Sequence, residues 1–207
     1  MTSIAFSVMK SPDETARAII EAAEELFARY GFKKTSIDDI ARAARIGKGS
    51  VYLHFASKEE LFAQIVKQVS DRILHTLTAA VKRGRAPAEK LRAFLETSVT
   101  AVAAIVAEYH LNEETMMELI PMGMSLRQEY LARAHSLLVE VLRDGVSSGA
   151  FAVKHPHCLA TGIMSCLQGL DATAAQRPHS TETRAGLDQL FSVLLRGLRP
   201  ARMGRTG

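Results

Sequence analysis

The stretch TSIDDIARAARIGKGSVYLHF, residues 35–55, sets the fold class of the N-terminal part of this chain. Its first half repeats apolar residues at the spacing of a short helix, and Thr35 is placed to cap that helix. Residues 45–47 then predict a tight turn, and residues 48–55 predict a second short helix. Two short helices joined by a tight turn indicate a helix-turn-helix. The apolar positions of the first helix are Ile37, Ile40, Ala41 and Ala44.

The second of these helices has two contrasting faces. Val51 and Phe55 lie four residues apart, so both can pack inward with Ile40 of the preceding helix. Residues 48–50, Lys-Gly-Ser, form a small and polar N-terminal end. Such an end suits a helix that enters the major groove of DNA, which is about 12 Å wide. Positions 52–54, Tyr-Leu-His, remain for the groove and its walls.

Charge supports this interpretation only when it is counted locally. The whole chain has 26 basic and 22 acidic residues, a net charge of +4 that is too small to indicate nucleic-acid binding. The segment from Tyr30 to Lys58, however, contains six basic and two acidic residues, so this short segment alone has a net charge of +4. The positive charge is therefore concentrated on the helix-turn-helix.

The remaining sequence predicts an all-helical chain of about nine helices. Residues 11–14, Ser-Pro-Asp-Glu, start the first helix, and Ser57-Lys58-Glu59-Glu60 forms a capping box that opens a long fourth helix. Pro121 is expected to end a short helix at 113–120, and the next helix is expected at about 125–148. We expect a helix-turn-helix domain at 11–57, a helical domain at 58–199, and flexible tails at 1–10 and 200–207.

Composition excludes several classes of protein. The chain has 207 residues, 47% of them hydrophobic, which is enough for a folded core. Two cysteines cannot form a disulfide framework, no apolar stretch is long enough to cross a membrane, and the first ten residues make a poor signal peptide. These features predict a cytoplasmic protein. The chain has no catalytic motif, and we expect no enzymatic activity, cofactor or metal.

The N-terminal motifs resemble those of the tetracycline-repressor (TetR) family of regulators. They are A-x-x-L-F-x-x-x-G-F ending at Phe32, T-S-I-x-x-I-A at Thr35–Ala41, K-G-S-V-Y-x-H-F at Lys48–Phe55, and the following S-K-E-E-L. Two positions depart from the family pattern. Arg45 stands where the turn usually has glycine, which predicts a left-handed backbone there, and Gly47 stands where the family usually has serine.

The resemblance implies a ligand-responsive, homodimeric repressor that binds a pseudo-palindromic DNA operator. It assigns DNA contacts to Thr35 and Ser36 at the start of the second helix, and to residues around the third. The full set of predicted DNA-binding residues is Thr35, Ser36, Arg45, Lys48, Gly49, Ser50, Tyr52, His54 and Lys58. The alternatives are a plain helical bundle, or a helical small-molecule binding protein or enzyme without DNA-binding activity.

For the C-terminal two-thirds the resemblance implies a small-molecule cavity and a dimer interface on the last two helices. The predicted pocket residues are Phe94, Tyr109, Met116, Met117 and Tyr130. The predicted interface residues are Leu159, Ile163, Leu167, Leu187, Phe191 and Leu194. The methionines also suit an ordinary core, and the last two helices also suit packing within one chain. Glu114 and Glu118 lie one turn apart near His110, but acidic residues on a helix are usually solvated, so no metal site is predicted.

Overall fold

A computed structural model describes residues 12–110, 113–174 and 181–200. Within these ranges the backbone forms nine helices and no strand, so the predicted all-helical class is confirmed. The helices are α1 (Pro12–Tyr30), α2 (Ile37–Ala44), α3 (Lys48–His54), α4 (Lys58–Arg83), α5 (Pro87–Glu108), α6 (Glu113–Leu126), α7 (Gln128–Ser147), α8 (Pro156–Ala174) and α9 (Thr181–Gly197). The predicted tail at 1–10 and residues 201–207 lie outside the described residues.

The chain divides into two compact units. The first unit runs to Lys67 and also includes Tyr109–Gly123, and the second comprises Gln68–Glu108 and the chain from Met124 onward. Both α4 and α6 therefore contribute residues to each unit. The sequence placed a single boundary at residue 57, whereas the first unit also contains the beginning of α4 and most of α6.

The first unit is built on α1, which packs against α2 and α3. Ile40 and Val51 are completely buried and Phe55 nearly so, which confirms the predicted inward face of the helix-turn-helix. In the same unit, Phe27, Phe32 and Phe62 form an aromatic cluster with ring centroids 5.2–5.9 Å apart. These rings come from α1, the segment after it and α4, so the cluster joins these three parts of the unit.

The N-cap of α2 is Ser36 and not Thr35 as the sequence suggested. The Ser36 hydroxyl accepts the N–H of Asp39, and the Asp39 carboxylate accepts the N–H of Ser36, which is a complete capping box. Thr35 is 3% exposed and turns its hydroxyl inward, where it donates to the carbonyl of Gly31 at 2.9 Å. Serine and threonine are adjacent here, so the pattern alone did not decide which of them caps.

The second unit has a core formed mainly by α5 and α7–α9. Helix α5 packs against α7, α8 and α9, and α7 packs against α8. Phe94, Leu138 and Leu142 are fully buried at its centre. Gly145 of α7 leaves room for the ring of Phe151, which occupies the space that a larger side chain would need. This unit is therefore a bundle with a continuous apolar interior.

The prediction that Pro121 ends a helix is wrong. Helix α6 continues through Pro121 to Leu126. A proline removes one backbone hydrogen bond and bends a helix, but it does not end the helix when residues on both sides are held. Thr115 before it is buried, and Gly123 after it lies against Val66, so tertiary packing holds the helix across the proline.

No helix in the described ranges is both long and apolar enough to cross a membrane. The same residues contain no group of three or more histidine, cysteine or acidic side chains arranged to hold a metal ion.

Candidate DNA-binding surface

The turn between α2 and α3 has the backbone that the sequence predicts. Arg45 lies in the left-handed region, with φ of 58° and ψ of 46°, and its N–H donates to carbonyls of the last turn of α2. The cost of this conformation for a residue with a side chain is about 1–2 kcal/mol. Gly47 is the N-cap of α3 and supplies no side-chain acceptor, also as predicted. The turn thus keeps its geometry although arginine replaces the usual glycine.

Helix α3 presents an open outer face. Val51 is buried against the unit, whereas Tyr52 is 49% exposed and Leu53 is 86% exposed. Apart from its chain neighbours and the backbone of its own helix, no atom lies within 4 Å of the position that a Cβ on Gly49 would occupy. The Gly49 position in the first turn of α3 is therefore bare, and the next turn carries an aromatic and an aliphatic side chain into solvent. A helix of this shape can approach the floor of a major groove closely.

Leu53 is one of the three positions that the sequence leaves for the groove and its walls, although it is not among the nine residues assigned DNA contacts. It is the most exposed large apolar side chain among the described residues. An aliphatic side chain on a groove-facing helix can contact the methyl group of thymine, so Leu53 belongs with the candidate surface. Its outward position agrees with the sequence analysis, since residue 53 lies between the inward-facing Val51 and Phe55.

Two of the predicted DNA-binding side chains are turned inward. The ammonium of Lys58 donates to the carbonyls of Phe32 and Thr35 at 2.8 and 2.9 Å and lies 4.3 Å from the centroid of the Phe32 ring. The Thr35 hydroxyl is buried, as described above. In this structure Lys58 and Thr35 therefore hold the segment between α1 and α2, and their contact with DNA stays a prediction.

The other predicted residues surround α3. Lys48 is paired with Asp38 of α2 at 2.9 Å, and this hydrogen bond raises the pKa of the lysine above its ordinary value. Both side chains are about half exposed, so Lys48 can exchange this partner for a phosphate at little cost. The Asp39 carboxylate accepts hydrogen bonds from Ser36, which lower the pKa of Asp39. Ser36 and Arg45 are exposed, and Ser50 and His54 are half-buried.

The residues predicted to line a ligand pocket are divided between the two compact units. Phe94 is fully buried in the core of the second unit, and Tyr130 packs against that core. Met117 is 66% exposed and, like Tyr109, belongs to the first unit. The side chain of Met116 lies outside the described residues.

The second unit instead has a cleft between α4 and α5, with a volume of about 320 Å³. Its walls are mainly apolar, with Ile73 on α4 and Ala101 and Ile105 on α5. Arg72 and Glu108 also line it and form an ion pair at 2.8 Å. The four predicted pocket residues whose side chains the structure describes, Phe94, Tyr109, Met117 and Tyr130, are not among the residues that line this cleft.

Three of the six residues predicted for a dimer interface lie in the interior of one chain. Ile163, Leu167 and Phe191 are between 4% and 8% exposed, and Leu159 and Leu194 are partly buried against the same core. The side chain of Leu187 is not among those described. Side chains that are already buried have little surface left to contact a second subunit. A dimer interface on α8 and α9 would therefore use the faces of these helices that point away from the core.

Comparison with known proteins agrees with this geometry. Residues 19–65 match the family model for bacterial regulatory proteins of the tetR family, and residues 87–190 match the tetracyclin repressor-like C-terminal domain. The chain is 26% identical to the uncharacterized HTH-type transcriptional regulator YhgD of Bacillus subtilis, over 86% of this chain and 94% of that protein. It is 30% identical to the HTH-type transcriptional repressor KstR2 of Rhodococcus jostii, over 64% of this chain and 66% of that protein.

A solved structure of the transcriptional regulator FadR from Bacillus subtilis, in complex with stearoyl-CoA, superimposes with a TM-score of 0.66. The two are 22% identical, and the match covers 88% of this chain and 99% of that one. At this identity the likeness establishes the fold. The two family models together span most of the chain, from Ile19 to Leu190. This chain therefore belongs to the TetR family of DNA-binding transcriptional regulators.

Proposed function

We propose that this protein is a homodimeric transcriptional repressor that places α3 of each subunit in the major groove of a pseudo-palindromic operator. The observation that carries the proposal is the open face of α3, where Gly49 is bare and Tyr52 and Leu53 project into solvent while Val51 anchors the helix. A helix anchored on one face and bare on the other meets the requirements of groove reading. Because its target is chromosomal DNA, we place the protein in the cytoplasm.

The experiment that tests this proposal is selection of bound duplexes from random-sequence DNA by the unaltered protein. We expect enrichment of an inverted repeat whose half-sites are separated by about one helical turn or a multiple of it, because the symmetry of the site follows the symmetry of the dimer. Failure to enrich any sequence would contradict specific DNA binding. Enrichment of a site without symmetry would contradict the homodimer.

The dimer interface that we propose uses the outer faces of α8 and α9. The outer face of α9 has two exposed apolar side chains, Leu190 at 51% and Val193 at 60%. Beyond His157 near its start, the outer face of α8 is made of small residues, which allow a second helix to approach closely. Among the side chains described on α8, the exposed ones are His157, Cys158, Thr161, Gly162, Ser165 and Cys166.

Replacing Val193 with aspartate is expected to dissociate the dimer. The carboxylate would be buried in the interface without a partner, and we expect the dimer dissociation constant to rise by at least about a hundredfold. Sedimentation velocity over a range of protein concentrations measures this change. The control is Val146→Asp, which alters an exposed valine on α7 and should leave the dimer intact. A V193D protein that still sediments as the wild-type dimer would exclude this face.

We further propose that a small molecule with an apolar part binds in the second unit and releases the operator. The apolar cleft between α4 and α5 supports this assignment, as does the acyl-CoA complex of the FadR protein with the same fold. A ligand that binds only the folded state raises the melting temperature, so a thermal-shift series with stearoyl-CoA and free fatty acids is a direct first test. The ligands that stabilise the protein should also displace the selected duplex, and stabilisation without displacement would contradict a releasing role.

A further inference from the structure

The segment between α1 and α2, residues 31–36, is held by side chains from distant parts of the sequence. We call it the α1–α2 loop. Gly31 starts it with a positive φ of 85°, and Thr35 donates its hydroxyl to the Gly31 carbonyl. Lys58 binds two further carbonyls of the loop from the start of α4. The loop ends at Ser36, the N-cap of α2, so its position determines where α2 begins.

Helix α6 supplies another partner of this loop. One carboxylate oxygen of Glu118 accepts the backbone N–H of Lys33 at 2.9 Å. The other oxygen fills the space beside Gly31, where an added Cβ would lie only 2.5 Å from it. Both residues belong to the first compact unit. The lack of a side chain at Gly31 is thus what allows a carboxylate from α6 to reach the loop backbone.

A second acidic residue of α6 reaches the same loop in a different way. Glu114, one turn before Glu118, pairs with the ammonium of Lys34 at 2.7 Å. This pair is 65% and 74% exposed, and ion pairs of that kind contribute little because water screens them. Glu118 is only half exposed, and its partner is a backbone N–H. A backbone N–H has fewer alternative hydrogen-bond partners than the ammonium of a flexible lysine side chain. Glu118 is therefore the stronger of the two attachments.

We propose that Glu118 is a positioning residue for DNA binding. By holding the N–H of Lys33, it keeps the α1–α2 loop in the conformation that sets the start of α2 and, through α2, the placement of α3. The proposal rests on the DNA binding described above and adds to it a residue 85 positions away from its loop partner. It also gives a role to Glu118, which the sequence analysis noted only as lying one helical turn from Glu114.

The test compares Glu118→Ala, Glu118→Gln and the control Glu114→Gln, each in the full chain. Affinity is measured at fixed salt by fluorescence anisotropy with a labelled duplex selected by the unaltered protein. We expect E118A to bind about tenfold more weakly. E118Q should bind within about threefold of the unaltered protein, since an amide oxygen still accepts the N–H of Lys33. E114Q should also stay within about threefold.

A second readout separates positioning from general stability. In E118A the amide of Lys33 should exchange with deuterium faster than in the unaltered protein, while E118Q should keep its protection. Unchanged DNA affinity of E118A would overturn the proposal, and so would an E118Q protein that binds as weakly as E118A. If the unaltered protein selects no duplex at all, the proposed DNA-binding function itself fails, which is a distinct result.

Discussion

Replacing Gly49 with glutamate is expected to abolish specific DNA binding without harming the fold. The bare position on α3 would then carry a negative charge into a groove lined by phosphates, and like charges brought together at an interface cost several kcal/mol. We therefore expect the affinity for the selected duplex to fall by at least about a hundredfold. Anisotropy titration at fixed salt measures the loss.

The stability of the G49E variant is expected to stay equal or rise, although its affinity for DNA falls. Glutamate has a higher helix propensity than glycine, and an acidic residue in the first turn interacts favourably with the helix dipole. No neighbouring atom obstructs the new side chain, so the melting temperature should stay equal or rise. The matched control is Ala88→Glu, which adds the same charge at an exposed position near the start of α5. If G49E bound the duplex as well as A88E does, α3 would not be the reading helix.

Replacing Phe94 with alanine is expected to lower the free energy of unfolding by about 3–5 kcal/mol. The sequence assigned this residue to a ligand pocket, but its ring is fully buried among the core residues of the second unit. Truncation would leave a cavity that the tightly packed surroundings can fill only partly. Since a domain is typically stable by only 5–15 kcal/mol, this single change is a severe one. Urea unfolding at a single protein concentration measures it.

Met117 provides the control from the same predicted pocket. Its side chain is 66% exposed, so Met117→Ala should change the free energy of unfolding by no more than about 0.5 kcal/mol. A small effect of F94A, comparable to that of M117A, would contradict the core position of Phe94 and favour its original assignment to a cavity.

The helix-turn-helix could be predicted closely because local chemistry determines it. Residues 48–55 were expected as the third helix, and α3 spans Lys48–His54. The burial of Val51 followed from helical spacing, and the left-handed conformation of Arg45 followed from the family resemblance, which usually has glycine at that turn. These features depend on residues within one or two helical turns, and such neighbours are visible in a single sequence.

The C-terminal assignments were less successful because periodicity does not say what an apolar face covers. The family resemblance implied an interface on the last two helices, and their spacing suited either an interface or packing within one chain. Leu167 and Phe191 lie in the core of their own chain. The exposed side chains of α8 and α9 mix small and polar residues with two large aliphatic ones, Leu190 and Val193, which is a weak pattern in a sequence. Spacing identifies a buried stripe, but the partner of that stripe is decided by tertiary packing.

Long-range polar contacts were invisible for the same reason. Glu118 and the loop residue that it binds are far apart in the chain, and nothing in the local pattern of α6 connects them. The prediction that α6 ends at Pro121 was wrong because it considered only the local free-energy cost of a proline in a helix. The packing that offsets this cost comes from residues far away in the sequence. The sequence alone therefore did not predict that α6 continues through Pro121, or that the Glu118 carboxylate binds the α1–α2 loop.

The most direct test of the account is hydrogen–deuterium exchange of the unaltered protein with and without its selected duplex. If α3 enters the groove and the start of α2 lies on the phosphates, bound DNA should slow the exchange of amides in the segment from Ser36 to Lys58. DNA should not contact α7 and α8, so the exchange of their amides should not be slowed by direct contact. Protection confined to α7–α9, with none between Ser36 and Lys58, would contradict the central claim that the helix-turn-helix binds the DNA.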